Sequence, residues 1–73
     1  VPRYFFHNDN GESHIDEVGI ELPDEAVAKK EAIRATSEVL HDLSEAFWSF
    51  PRYEMRVVDE NGNEVCRVNC SGT

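Results

Sequence analysis

No glycine or proline interrupts the chain between Pro23 and Pro51, and that one tract dictates most of what the chain can become. Asp24, just after Pro23, is placed as an N-cap, and Glu25 suits the positive end of a helix dipole. Ala26, Ile33, Leu40 and Phe47 recur every seven residues, with Ala32, Ala35, Val39, Leu43 and Ala46 beside them at helical spacing. The pattern predicts a single amphipathic helix of about six turns or more, from Asp24 to about Phe47. Its polar face carries Lys30, Glu31, Arg34, Glu38, His41, Asp42 and Glu45, with Arg34 set to meet Glu31 and Glu38.

The flanks have the other period. Arg3-Tyr4-Phe5-Phe6-His7 is dense in aromatics and closes on Asn8-Asp9-Asn10-Gly11, which predicts a strand over 3–8 followed by a turn. Val18, Ile20 and Leu22 alternate with Gly19 and Glu21, predicting a short second strand half buried on one face and paired with the first. After Pro51, Tyr53, Met55 and Val57 alternate with Glu54 and Arg56. Asp59-Glu60-Asn61-Gly62-Asn63 then turns the chain, and Cys66, Val68 and Cys70 alternate with Arg67 and Asn69. The expected fold is α+β in ββαββ order, a small antiparallel sheet with one long helix on one face. At 73 residues there is material for one core, so 1–73 is expected to be a single domain without a large enclosed active site.

Charge narrows the partners. Fifteen acidic against seven basic side chains give a net charge of -8, and the only adjacent basic pair is Lys29-Lys30. Phosphate backbones are bound through clustered Lys and Arg, so nucleic acid and anionic membrane are excluded as expected partners, whereas a basic protein would be attracted. No apolar run approaches the roughly 18 residues that span a bilayer, and no basic segment precedes an apolar one at the N-terminus. Cytoplasm is the expected compartment, since two cysteines in an ordinary core composition do not suggest a secreted disulfide scaffold.

Residues that could carry chemistry are few. Cys66 and Cys70 lie about 13 Å apart along an extended strand, too far for a mutual disulfide or a shared tetrahedral zinc. Both point with Val68, so they are expected to be reduced, largely buried core residues. His7, His14 and His41 fall on a strand, a loop and the polar helix face, with no spacing that would bring two to one metal. His7 shares a face with Phe5 but has no nucleophile or paired carboxylate placed to work with it. Asn8–Glu12 and Asp59–Glu64 look faintly like calcium loops but lack the alternating ligands and distant closing Glu of an EF-hand. The chain is therefore expected not to be an enzyme, and to need no cofactor or metal.

Pro2-Arg3-Tyr4-Phe5-Phe6-His7, the Glu21-Leu22-Pro23-Asp24 step into an alanine-rich helix with Glu31-Ala32, and the Val58-Asp59-Glu60-Asn61-Gly62 turn together carry a resemblance. The chain resembles a family of short uncharacterised bacterial proteins that open with Pro-Arg-Tyr-Phe-Phe-His and form a domain of unknown function. The resemblance spans nearly the whole chain and implies no activity, cofactor or catalytic residue. Those relatives carry Met before the Pro where Val1 stands, and aliphatic or aromatic residues where Cys66 and Cys70 stand, in keeping with cysteines at core positions. A fainter similarity is to HicB-type antitoxins, which place a further strand before the helix.

Three functions are left open: a self-associating protein-interaction or regulatory module, an acidic antitoxin-like inhibitor of a basic protein, and a small enzyme or metal-dependent sensor. The first leads. A helix reaching Phe47 would be about 36 Å long against strands of some 20 Å. It would overhang its sheet and leave Leu40, Leu43, Phe47, Trp48 and Phe50 uncovered, while Phe5 and His7 face away from the only helix. A homodimer would cover both surfaces. The alternative is a helix ending near Ser44, with Phe47, Trp48 and Phe50 folded back as an end-cap.

Overall fold

Asp24 starts the helix: its backbone is extended, φ -162° and ψ 176°, and its carboxylate accepts from the Val27 N–H at 2.9 Å. In the computed structural model, which describes residues 1–73, the elements run β1 (Arg3–Asp9), β2 (Ser13–His14), β3 (Ile20–Glu21), α1 (Glu25–Asp42), a 3-10 turn over Ala46–Ser49, β4 (Arg52–Val58) and β5 (Glu64–Ser71). All pairings are antiparallel, in the order β2-β1-β4-β5, with β3 also on the outer edge of β1. This is an α+β fold in which one helix lies on one face of a small antiparallel sheet. The expected second strand is reduced to β3, and the bridge β2 is additional. Val18 is 75% exposed and Ile20 45%, so of the face its alternation suggested only Leu22 packs against the core.

Register explains the core. Phe6 opposes Val57, Val57 opposes Cys66, Met55 opposes Val68 and Tyr53 opposes Cys70. Directly opposed residues of antiparallel strands share a face, so these side chains and Tyr4 all lie under α1. The buried cluster is Tyr4, Ala28, Ala32, Tyr53, Met55 and Val57. The helix therefore meets the sheet chiefly through Ala28, Ala32 and Thr36, with Ala35, Val39 and Leu40 packed beside them, while Ile33 of the expected stripe is 56% exposed. Small side chains let the helix backbone approach the aromatic sheet, where an isoleucine would hold it off. Cys66 and Cys70 are free and half-buried, less enclosed than expected, because β5 is the outermost strand.

The helix also ends earlier than the expected Phe47. The Ser44 hydroxyl and the Ser44 N–H, at 3.3 Å, both donate to the His41 carbonyl, which in a longer helix would accept from Glu45 N–H. The chain turns back, and the rings of Phe47 and Trp48, edge-to-face at 5.4 Å, pack over Gly72. Eighteen helical residues measure about 27 Å, matching the eight-residue β5. The expected overhang is absent, and Phe47 and Trp48 form the folded-back cap instead. No helix is long and apolar enough to cross a membrane.

The two buried hydroxyls of this core, Thr36 Oγ1 and Tyr53 OH, have no hydrogen-bond partner in the protein. Burial, helped by Cys70, pushes the Tyr53 phenol above its usual pKa. Removing an unpaired buried donor relieves a desolvation penalty. Tyr53→Phe is thus expected to raise stability by about 1 kcal/mol, read as a higher midpoint in urea denaturation; a loss of that size would show that the hydroxyl is paired.

Candidate functional site

Three regions hold polar or unpartnered groups. The first is the outer edge of β1 between β2 and β3. There the Asp16 carboxylate accepts from Phe6 N–H at 3.1 Å, Val18 N–H at 3.0 Å and Gly19 N–H at 3.0 Å. Asp16 N–H in turn donates to His7 Nδ1 at 3.0 Å. Burial alone would raise the Asp16 carboxyl, but these three N–H groups and nearby His7 hold it below the usual carboxylate range. Arg3 clamps the same loop from outside, donating to the carbonyls of Val18 at 2.9 Å and Gly19 at 3.4 Å and pairing with Glu21 at 2.9 Å. The Asp16 carboxylate and His7 Nδ1 are both taken by backbone N–H groups, so the His7–Asp16 pair works as a clip that closes the gap in the sheet edge. Phe5 lies beneath Gly19 in this clip.

The second region is a cleft of about 500 Å³ at one end of the sheet, where Asp9, Arg52, Glu54, Asn69 and Ser71 surround the Phe50 ring. None of the three histidines lines it. Its charges are mixed, and its thiol and hydroxyls belong to Cys70, Ser71 and Tyr53. Across the chain, no three His, Cys, Asp or Glu side chains come together as a metal site. The Asp59 carboxylate, within one of the two calcium-like turns, instead accepts from the N–H groups of Asn61 and Asn63 at 2.9 Å each.

The third region is β5. Arg67 opposes Arg56, and Glu64 bridges the two, at 2.6 Å from Arg67 and 3.0 Å from Arg56. The Arg67 hydrogen bond first, and Arg56 with it, holds the Glu64 carboxyl low. Arg34 pairs with Glu31 and, at 2.8 Å, with Glu38, as its spacing predicts. On the inner face burial pushes the Cys66 thiol up, partly offset by Lys29 on α1.

The residues considered for an interface do not form one surface. Leu40 and Phe47 pack against the core and Leu43 is half-buried, while Trp48 is 60% exposed at the Gly72 end. Phe50, 46% exposed, lies against Gly11. Phe5 and His7 belong to the Asp16 clip. Sequence reasoning passed over Asp16, whose one visible signal was an Asp two residues before Val18-Gly19 in a turn.

These features define a small α+β domain built on a five-stranded antiparallel sheet and one helix. The chain belongs to the family described as Domain of unknown function (DUF6894), whose model matches residues 3–71. No curated protein and no solved structure matches it.

Proposed function

We propose that the chain is a non-enzymatic protein-interaction module that self-associates. The observation that supports this reading is the thinness of the core: 8 of 73 residues are buried, while Ile33, Val18, Ile15, Trp48 and Phe50 stay exposed. A domain this small gains stability when a second copy covers apolar surface that water otherwise wets. Sedimentation at tens of micromolar tests it. A mass twice the 8.3 kDa of one chain is expected, and a clean monomer overturns it.

The net charge of -8 supports a second reading, an acidic inhibitor that masks a basic protein. Affinity purification from the native cell separates the two: a stoichiometric basic partner favours the inhibitor, and recovery of the chain alone favours the self-associating module.

A further inference from the structure

The self-association proposed above needs a surface, and β5 offers one with a defined register. Nothing pairs with the outer edge of β5. Gly72 N–H donates to the Pro51 carbonyl at 3.0 Å, so Gly72 turns its backbone toward β4. Inward and outward backbone groups alternate along an antiparallel strand. Cys70, Val68 and Cys66 therefore also turn theirs inward, leaving the N–H and C=O groups of Arg67, Asn69 and Ser71 pointing outward. The same alternation carried across the sheet sends Phe6 N–H away from β4, where it meets Asp16.

We infer that two copies join antiparallel along β5 about a two-fold axis at Val68, setting Arg67 opposite Asn69, and Cys66 opposite Cys70, of the second copy. A shift of two residues in one direction sets Arg67 against its own copy, a like-charge pair. A shift in the other direction cuts the overlap from Val65–Ser71 to Arg67–Ser71. In the Val68 register the outward groups form the hydrogen-bonded pairs. The cysteines occupy non-hydrogen-bonded pairs, where α-carbons lie about 4.5 Å apart, just within disulfide reach.

The helix supplies an independent argument. Since α1 packs over both β4 and β5, the two-fold axis brings the two helix axes to about 10 Å, at the edge of ordinary helix contact. Lys29, near enough to act on Cys66, shows which flank of α1 overhangs β5. That flank carries Ala26 and Ile33, which the core does not use, beside Leu40, which packs at its margin. Ile33, 56% exposed, would be covered by the second helix running antiparallel. The charge of -8 on each copy opposes the dimer, so added salt should strengthen it.

Cysteine cross-linking with diamide reads the register. For each disulfide, two thiols give two protons and two electrons to the azo bond, which becomes a hydrazine. Wild type should run as a cross-linked dimer on a non-reducing gel. Cys66→Ser and Cys70→Ser should each stay uncross-linked alone, yet cross-link when mixed, because only the mixture pairs a remaining Cys70 with a remaining Cys66. Asn69→Pro adds a readout independent of sulfur. Its N–H points outward, so proline costs no bond to β4; it should sediment as a monomer with unchanged circular dichroism. Cross-linking of either single variant alone, no cross-linking in a sedimenting dimer, or a dimeric Asn69→Pro would overturn this interface and leave self-association standing. A monomeric wild type would overturn both.

Discussion

Gly19→Ala should destabilise the domain by about 3 kcal/mol, combining the strain of a left-handed backbone with that of overpacking. Gly19 has φ +75°, and a β-carbon there would sit 2.9 Å from the Tyr4 carbonyl oxygen, the Phe5 ring and Arg3 Cγ. The Tyr4 oxygen cannot give way easily, because β1 is held by β4 on one side and β3 on the other. Lifting the loop instead would stretch the Gly19 N–H from Asp16 and release Phe6 N–H. For a domain of this size, each kcal/mol shifts Tm by about 4–8 °C, so a fall of more than 10 °C or so is expected. Gly62 is the control. Its φ is +83° but nothing lies within 4 Å of the added carbon, so alanine there should cost only about 1–2 kcal/mol of backbone strain. Equal losses at the two positions would show that the packing of the loop on Phe5 contributes nothing.

The contrast between those glycines marks what the sequence could convey. The hairpin of β4 and β5 was legible because Tyr53, Met55 and Val57, and then Cys66, Val68 and Cys70, alternate about an Asp-Glu-Asn-Gly-Asn turn. Asp24 was legible as a cap, and Arg34 as the partner of Glu31 and Glu38, because both depend on local spacing. The helix face was legible in part: Ala32, Ala35, Val39 and Leu40 do pack toward the sheet, but Ala28 and Thr36 were not expected there and Ile33 was. Ala28, Ala32 and Thr36 were chosen by how closely the backbone must approach Tyr53 and Met55, a tertiary demand that favours small residues over the more hydrophobic Ile33. The helix end was legible only as the alternative near Ser44, since it depends on the Ser44 hydroxyl and on aromatic rings finding Gly72. Of the candidate interface residues, Phe47 and Trp48 meet, Phe50 lies against Gly11, and Phe5 and His7 are held at a loop whose anchor is the single carboxylate of Asp16. The partners of that carboxylate are backbone N–H groups, which no side-chain pattern reveals.

Asp16→Ala should cost about 2–3 kcal/mol, because it strands a half-buried Phe6 N–H and releases two more on the loop. The effect should depend on pH in a defined direction. Asp16 ionises below the usual carboxylate range in the folded chain, and at about 3.9 when unfolded. Its contribution is therefore fully present above the unfolded value. It falls as pH drops through the interval toward the folded value, and is gone below both. Glu31 and Glu64, held low mainly by their arginine partners, act with the same sign. Both pairs involve exposed arginines and are screened by solvent, so their share of the acid-induced loss should shrink in salt more than that of Asp16. Urea midpoints from pH 7 to pH 3 should fall for wild type and fall less for Asp16→Ala, with the two curves converging at the acid end. Asp16→Asn keeps an oxygen for Val18 and Gly19 but turns an NH2 group toward Phe6 N–H. It should lose part of the stability at pH 7 and, like alanine, part of the slope. Parallel curves for wild type and both variants would mean that the carboxylate's charge plays no part in holding the loop to β1.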